Sequence, residues 1–384
     1  MVANNKISPY SRMQVWESSG TGIIHFDTSD YGSKDVAPLP YLGAVVEDKV
    51  LTTELAADVL SSDTHVIAPA AVKSISNSPD STLTTITFDD ETSVTTSLLF
   101  ACDGANSFAK TSATQIETKS HPYERKALVA TVKVSEDFPT QHNNIAFQRF
   151  FKNGPIALLP LSDNFRSIVW STTFEEAEHL SKGVSEKEFL KVLNEKLRKP
   201  PSANDFPKLP FEFLSDLGKT ISNSLAVVGM NEIEGGGGIF VRPPRITGLE
   251  SARVCIPLVM SFANNYTNEN GSIVLVGDAA HTIHPMAGQG LNLGIGDVGK
   301  IIELVEEAVE TGEDLDTALQ ERMKTHYNRE RKLQCGKTVG GVHLLHEIFS
   351  CNISPFVFAR GIGLGLINVI SPIKKKIVKE AVGL

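Results

Sequence analysis

Apolar and polar positions alternate along residues 12–26 (RMQVWESSGTGIIHF), the period of a half-buried strand, and 18–22 reads as the turn between two such strands. Residues 45–60 switch to a helical period, with Val46, Val50, Leu51, Leu55 and Val59 on one side. From 65 to 99 the runs VIAPAAVKSI, TLTTITF and TSVTTSLLF, parted by turn residues at 77–81 and 89–91, predict a small antiparallel meander. Residues 126–172 are again strand-rich, with ALVATVKV, NIAFQRFF, PIALLPL and SIVWSTT suited to one sheet. Helical spacing returns at 175–198, as one or two helices, and stops before Pro200 and Pro201. The stretch 201–248, with EGGGG at 234–238 and Arg242-Pro-Pro-Arg245, keeps no period and reads as an irregular insertion. Helices are expected at 290–310 and 317–350. Two more open at Ser354-Pro355 and Ser371-Pro372, where Ser suits the N-cap and Pro the first helical position. No internal repeat is evident.

One stretch, 271–297 (GSIVLVGDAAHTIHPMAGQGLNLGIGD), carries chemistry as well as pattern. Its apolar run at 273–276 ends in Gly277-Asp278, which suits the carboxyl end of a parallel strand, where α/β folds place ligands. Asp278 would there present a carboxylate to a sugar or polyol hydroxyl. Pro285 to Gly290 would start a helix whose first backbone N–H groups are unpaired and lie at the positive end of the helix dipole, a setting for negative charge.

The pattern GDAAH-x-x-HP-x-x-GQG-x-N-x-G-x-x-D resembles the ribityl-binding motif of flavin-dependent aromatic hydroxylases. The chain also has RMQVW at 12–16, QRFFKNGPIALLPL at 148–161, VWST at 169–172 and FANNY at 262–266. With these it resembles the UbiH-type monooxygenases of ubiquinone biosynthesis, and among them the mitochondrial branch, from about Ile7 to the end. The resemblance implies FAD as cofactor, with Gly277 and Asp278 at the ribityl chain. It implies that the backbone of Gly288, Gln289, Gly290 and Leu291, entered through Pro285, faces flavin N1 and the C2 carbonyl, with Asn292 at the pyrimidine edge. Asp103, in CDGANS, resembles the family's second flavin motif at the pyrophosphate, although Lys110 stands where that motif has Arg, and the two are not equivalent toward phosphate. The resemblance also implies that Arg149, Phe150 and Pro155 fall in the segment that lines the substrate side in that family. No side chain is singled out as catalytic.

Members of that family open with a strand, a GxGxxG turn and a helix that hold the ADP half of FAD. No glycine cluster here has that form. The run 235–238 lacks the spacing, and Leu366 follows Gly361, Gly363 and Gly365 where another Gly would stand. The chain is therefore expected to be an N-terminally shortened member.

Length and composition narrow the remaining choices. A chain of 384 residues with 41% hydrophobic and 21% charged content suits two intertwined globular domains. A net charge of −9 argues against nucleic acid as a partner. Cys102, Cys255, Cys335 and Cys351 form no CxxC pair or metal spacing, so a reducing compartment is expected. His281 and His284 flank Thr-Ile without a third ligand at a recognisable spacing, so no metal site is expected. The first fourteen residues have neither the apolar core of a signal peptide nor the Arg content of a mitochondrial leader. No run approaches the ~18–20 apolar residues of a membrane span. The last segment, SPIKKKIVKEAVGL, sets Lys374, Lys375, Lys376 and Lys379 beside Ile373, Ile377 and Val378, a pattern for peripheral contact with an anionic membrane.

The expected fold is α/β: an aromatic hydroxylase-like fold without the first βαβ unit, a mixed-sheet substrate domain and C-terminal helices. The expected division is 41–118 with 271–345 for FAD, 6–40 with 119–270 for substrate, and 346–384 as a helical tail. The expected function is hydroxylation of a polyprenylated phenol in ubiquinone biosynthesis. Dioxygen is the co-substrate, NADPH or a ferredoxin the electron donor, and other proteins of that biosynthesis are partners, at the matrix face of the mitochondrial inner membrane. The alternative is a non-catalytic member of the biosynthetic assembly without stable FAD.

Overall fold

The computed structural model describes residues 7–30, 40–77, 82–114, 116–162, 164–201, 240–283, 288–351, 353–369 and 371–381. The chain divides into two compact units. The first comprises Met1–Ser61, Arg125–Pro257 and Leu345–Leu384, and the second Ser62–Glu124 and Leu258–Leu344. Among the described residues no helix is long and apolar enough to cross a membrane.

The first unit is built on a mixed sheet. Its strands run in the order Thr118–Val134, Phe165–Thr173, Gly154–Pro160, Ile145–Phe151, Arg12–Glu17 and Ile23–Asp27. All neighbours are antiparallel except Ile145–Phe151 with Arg12–Glu17, which run parallel. The apolar alternation read at 126–172 appears as a buried face carrying Leu128, Phe147, Ile156, Leu158, Ile168 and Trp170, joined by Trp16. Helix Glu186–Arg198 covers this face with Phe189, Leu193 and Leu197, spaced four apart so that they form one stripe. It starts where Ser185 caps it, the Ser185 hydroxyl accepting from the Glu188 N–H. That cap separates it from the short helical segments Phe174–Glu178 and His179–Gly183, so 175–198 is interrupted at Val184 and Ser185.

Most of the stretch read as an irregular insertion, 202–239, with its glycine run, lies outside the described residues. Its end is ordered into the sheet. Val241 exchanges two hydrogen bonds with the Gln14 side chain (2.7 and 2.9 Å), and Ile246–Leu249 pairs with the Val132–Val134 end of Thr118–Val134, a strand that Val254–Ala263 also neighbours. Helix Asp48–Ser61 follows a short strand, Gly43–Val46, and buries no residue: of the apolar positions read as one helical side, Val46 ends the strand, Val50 and Leu51 are half-buried, and Leu55 and Val59 are exposed. Helices Ser354–Val369 and Ser371–Ala381 belong to this unit. Arg360 anchors the first of them, its guanidinium meeting Glu17 at 2.6 Å in a pair that is nearly fully buried.

The second unit contains a parallel pair, Leu99–Ala101 with Ile273–Leu275, in the register Leu99↔Ile273 to Ala101↔Leu275. A three-stranded meander, Val72–Asn77, Thr84–Phe88 and Ser93–Thr96, stands beside it in sequence. Ile273, Val274 and Leu275 are all fully buried, as a strand covered on both faces requires. The core around them takes Ala279, Tyr266, Leu304, Met323 and Tyr327, and the Tyr327 hydroxyl donates to the Leu275 carbonyl at 2.8 Å. The predicted helix 317–350 is interrupted: Leu315–Arg322 and Asn328–Ser350 are joined by a wider π-type turn, Met323–Tyr327, which buries both Met323 and Tyr327.

Candidate functional site

The parallel register brings two aspartates to one edge of the second unit. Asp103 stands two residues beyond Ala101 and Asp278 three beyond Leu275, past the carboxyl ends of adjacent parallel strands. This is where an α/β sheet offers its ligand crevice. The Val276 N–H extends the pairing to the Ala101 carbonyl (3.0 Å), so both turns leave the sheet from a fixed base.

Gly277 has φ +58°, a left-handed conformation that lets the chain break sharply out of the strand. Asp278 follows it and is exposed; among the described residues its carboxylate has no hydrogen-bond or ion-pair partner. The helix that faces ligand in the sequence reading spans Gln289–Thr311. Gly288 precedes it with φ +60° and supplies no side-chain cap to the first-turn amides. A Cβ at Gly288 would meet nothing within 4 Å, whereas one at Gly294 would lie 3.4 Å from the Gly277 Cα. The helix therefore passes close to the Gly-Asp turn, while at Gly288 no described atom stands within 4 Å of such a Cβ. Leu291 and Asn292 are exposed on that first turn, and the Asn292 amide reaches Gln289 Oε1 at 3.5 Å. Pro285 and His284 lie outside the described residues.

Behind the turn, Asp297 is completely buried. Its Oδ2 accepts from the Gly277 N–H at 2.9 Å and meets His281 Nε2 at 2.8 Å, and its Oδ1 accepts from Arg331 Nε at 2.7 Å. Burial pushes the Asp297 carboxyl up, but the hydrogen bond and charge of His281, then Arg331 and the Gly277 amide, overcome it and hold the group below the usual carboxylate range. Neither Asp297 nor Arg331 was given a role in the sequence reading. The signal was present for Asp297: it lies four residues after Leu293 on the buried stripe of the helix, and an acidic group there requires a cation. Arg331, on another helix, has no such local mark.

Asp103 is placed differently. Its Oδ2 accepts from the backbone N–H groups of Phe108 (2.7 Å) and Ala109 (3.2 Å), at the start of helix Phe108–Ser112. Ser107 caps the same helix by accepting from the Lys110 N–H at 3.0 Å. The Lys110 side chain is buried and its ammonium donates to the Ala105 carbonyl at 3.3 Å. Burial lowers its pKa, opposed by the charges of Asp103 and Asp278, so this ammonium feels both carboxylates.

The three substrate-side candidates lie in the first unit, and all are buried. Arg149 donates to the Lys196 carbonyl and sits over the Phe151 ring at 5.0 Å. Phe150 stacks on Phe349 with ring centroids 3.9 Å apart, and Pro155 pairs with Phe150 across the sheet.

The arrangement in the second unit can hold a polyol through an exposed carboxylate and stabilise an anionic ring edge at an uncapped helix entrance. Comparison with known proteins agrees with a flavin as that ligand: the family described as FAD binding domain matches residues 260–333. Among solved structures, a probable FAD-dependent monooxygenase from Pseudomonas aeruginosa, PqsL, shares the fold at a TM-score of 0.62 and 17% identity, over 95% of this chain and 83% of that one. The Drosophila melanogaster protein named ubiquinone biosynthesis monooxygenase COQ6, mitochondrial, is 33% identical, covering 100% of this chain and 75% of its own length. The human protein of the same name is 30% identical, over 99% of this chain and 77% of its own length. With this identity sustained along the whole sequence, the chain belongs to the COQ6 family of ubiquinone biosynthesis monooxygenases.

Proposed function

We infer that this chain is an FAD-dependent monooxygenase of ubiquinone biosynthesis, and we propose that it hydroxylates the aromatic ring of a polyprenylated phenol. The observation that carries the reading is the pairing of an exposed Asp278, whose carboxylate has no hydrogen-bond partner among the described residues, with a helix entrance at Gly288 that has no side-chain cap, both tied to one buried carboxylate. FAD, when bound and reduced, supplies the chemistry, activating dioxygen so that one oxygen atom enters the ring and the other leaves as water.

The chain's own residues would do the rest. Asp278 would accept hydrogen bonds from the ribityl hydroxyls, with Gly277 leaving room for the polyol. The amides of Gly288, Gln289, Gly290 and Leu291, reached through Pro285, would donate to the N1–C2 edge and favour its negative charge. Asn292 would meet the pyrimidine edge. Asp103 would act at the pyrophosphate through the short helix it holds. In the first unit Arg149, Phe150 and Pro155 would form the dry aromatic wall of a phenol site. The electron donor would be NADPH or a ferredoxin.

A place in mitochondria accords with the family. Peripheral contact with the matrix face of the inner membrane, and with other proteins of the biosynthesis, is proposed on the last helix. There Ile373, Lys376, Ile377 and Lys379 are exposed, whereas Lys374 is buried and paired with Asp30 at 2.7 Å. Such a face suits an anionic surface.

Similarity to monooxygenases along the whole chain favours the enzyme over a non-catalytic assembly member. The test is reconstitution. The full chain is loaded with FAD and given a polyprenylated phenol, dioxygen and, in separate arms, NADPH or a ferredoxin with its reductase. A product carrying one added oxygen atom on the ring is expected. Retention of FAD with hydrogen peroxide as the only product, from every phenol supplied, would refute the substrate; failure to retain FAD would refute the enzyme.

A further inference from the structure

The surroundings of Asp297 are more elaborate than a helix-to-helix ion pair requires. Its three partners, Gly277, His281 and Arg331, are donors drawn from three separate segments, and two of those segments belong to the ligand-facing loop. Arg331 continues the network: Nη2 donates to the Leu293 carbonyl at 2.9 Å, in the second turn of the Gln289 helix, and Nη1 to Gln334 at 2.6 Å. Its guanidinium lies against Gly296, where a Cβ would come within 2.8 Å of Nη2, so the helix is held close at that point. His281 turns Nε2 to this carboxylate, and among the described residues its buried Nδ1 has no hydrogen-bond partner. A buried ion pair is poor evidence for stability, because well-packed apolar residues often serve as well. A carboxylate that gathers the ends of a site is better explained by geometry.

We propose that Asp297 is a positioning residue for the flavin site. One oxygen fixes the Gly277 amide and so aims Asp278, and the same oxygen orients His281 behind the turn. The other oxygen, through Arg331 and the Leu293 carbonyl, fixes the helix whose entrance Gly288 opens. Turn and entrance thereby keep one separation before any ligand arrives. The inference rests on the flavin reading of this site, but the ordering it describes exists without flavin and is measured without it.

Asp297→Asn is the first variant. It keeps the shape but turns an amide NH2 toward partners that are all donors. Hydrogen exchange is followed on the full chain with no flavin added. Residues 276–281 and 289–296 are expected to exchange roughly tenfold faster or more, the effect of losing a charged hydrogen-bond network, while Leu99–Ala101 and Phe108–Ser112 keep wild-type rates. Unchanged rates at the turn and helix entrance, or an equal rise along the whole chain, would overturn the proposal. Because Asp297→Asn leaves Arg331 unpaired in the interior, a second variant combines Asp297→Leu with Arg331→Met. Buried charge is then gone while the Gly277 amide still lacks its acceptor, so the same local pattern is expected, and wild-type protection at 276–281 in this variant would refute it.

Flavin-loaded protein gives the charge signature. Asp297→Asn is expected to raise the reduction potential and Arg331→Gln to lower it; shifts of the same sign would overturn the proposal. A wild-type chain that retains no FAD would defeat the flavin reading, and the exchange result would still decide the positioning role.

Discussion

Asp103 and Asp278 leave neighbouring parallel strands at the same edge, each beside a glycine with positive φ, and yet they do opposite things. Asp103 turns its carboxylate back onto its own chain and holds the amides of Phe108 and Ala109. Gly104, after it, has φ +82°. Asp278 comes after its glycine, not before, and is exposed, its carboxylate without a hydrogen-bond partner among the described residues. The order Asp-Gly folds the acid over the following turn, whereas Gly-Asp throws it outward. The fixing of the Gly277–Asp278 turn comes instead from behind, from Asp297. Asp103 is bonded to its own chain, whereas Asp278 is free to take the ligand role proposed for it. Substitutions of the two turns and their supports should separate these roles.

The largest effect is expected at Gly271, which starts the chain into the strand that delivers Asp278. It has φ +80°, and a Cβ there would lie 2.1 Å from the backbone carbonyl oxygen of Gln320. Left-handed strain of about 1–2 kcal/mol and overpacking of about 1–3 kcal/mol together predict a loss of roughly 2–5 kcal/mol for Gly271→Ala. Both tryptophans, Trp16 and Trp170, report on the first unit, so the second is better followed by hydrogen exchange during urea unfolding. Wild-type stability in the second unit would show that the strand is not fixed at this point.

Next comes Asp103→Ala. It removes the acceptor of two backbone amides at a helix start, a cap-like loss of about 1–2 kcal/mol, reduced toward the lower figure because Asp103 is exposed. Early exchange at 108–113 is the expected readout. A variant as stable as wild type would place Asp103 with Asp278, as an acid kept for ligand, and the contrast between the turns would vanish.

How far these roles were legible in the sequence depends on the range of the interaction that sets them. Strand alternation at 126–172 and the Ser185 cap are local, and they could be read directly. The Gln289 helix shows where reading stops. Leu293, Leu304 and Ala308 face inward, but Leu291, Ile295, Val298, Ile302 and Val309 form a second apolar stripe that is exposed. Periodicity marks both stripes and cannot choose between them. The helix expected at 45–60 shows the same limit: it begins only at Asp48, after a strand that takes Val46, and it buries no residue. At the site, the Gly-Asp turn and the glycine entrance were legible because conformational need selects glycine there. The network behind them was not, since Arg331 stands 34 residues from Asp297 and only the packed helices bring them together. The bonds from Asp103 to the Phe108 and Ala109 amides span five and six residues, a local use that the motif resemblance does not mark.

The smallest change in stability is expected for Asp278→Ala. No described group depends on its carboxylate, and surface substitutions of this kind stay within about 0.5 kcal/mol. FAD retention should nevertheless fall. Losing charged hydrogen bonds to polyol hydroxyls, worth about 1.5–3 kcal/mol, weakens binding by roughly tenfold to a hundredfold, measured by flavin fluorescence on titration. Asp278→Asn keeps one acceptor and should fall between the two. The two observables together locate the function of this acid. Unchanged stability with weakened FAD binding means a carboxylate held outward for a ligand. Lowered stability with unchanged binding means that Asp278, like Asp103, serves its own fold, and the open turn is then only a connection between a strand and a helix.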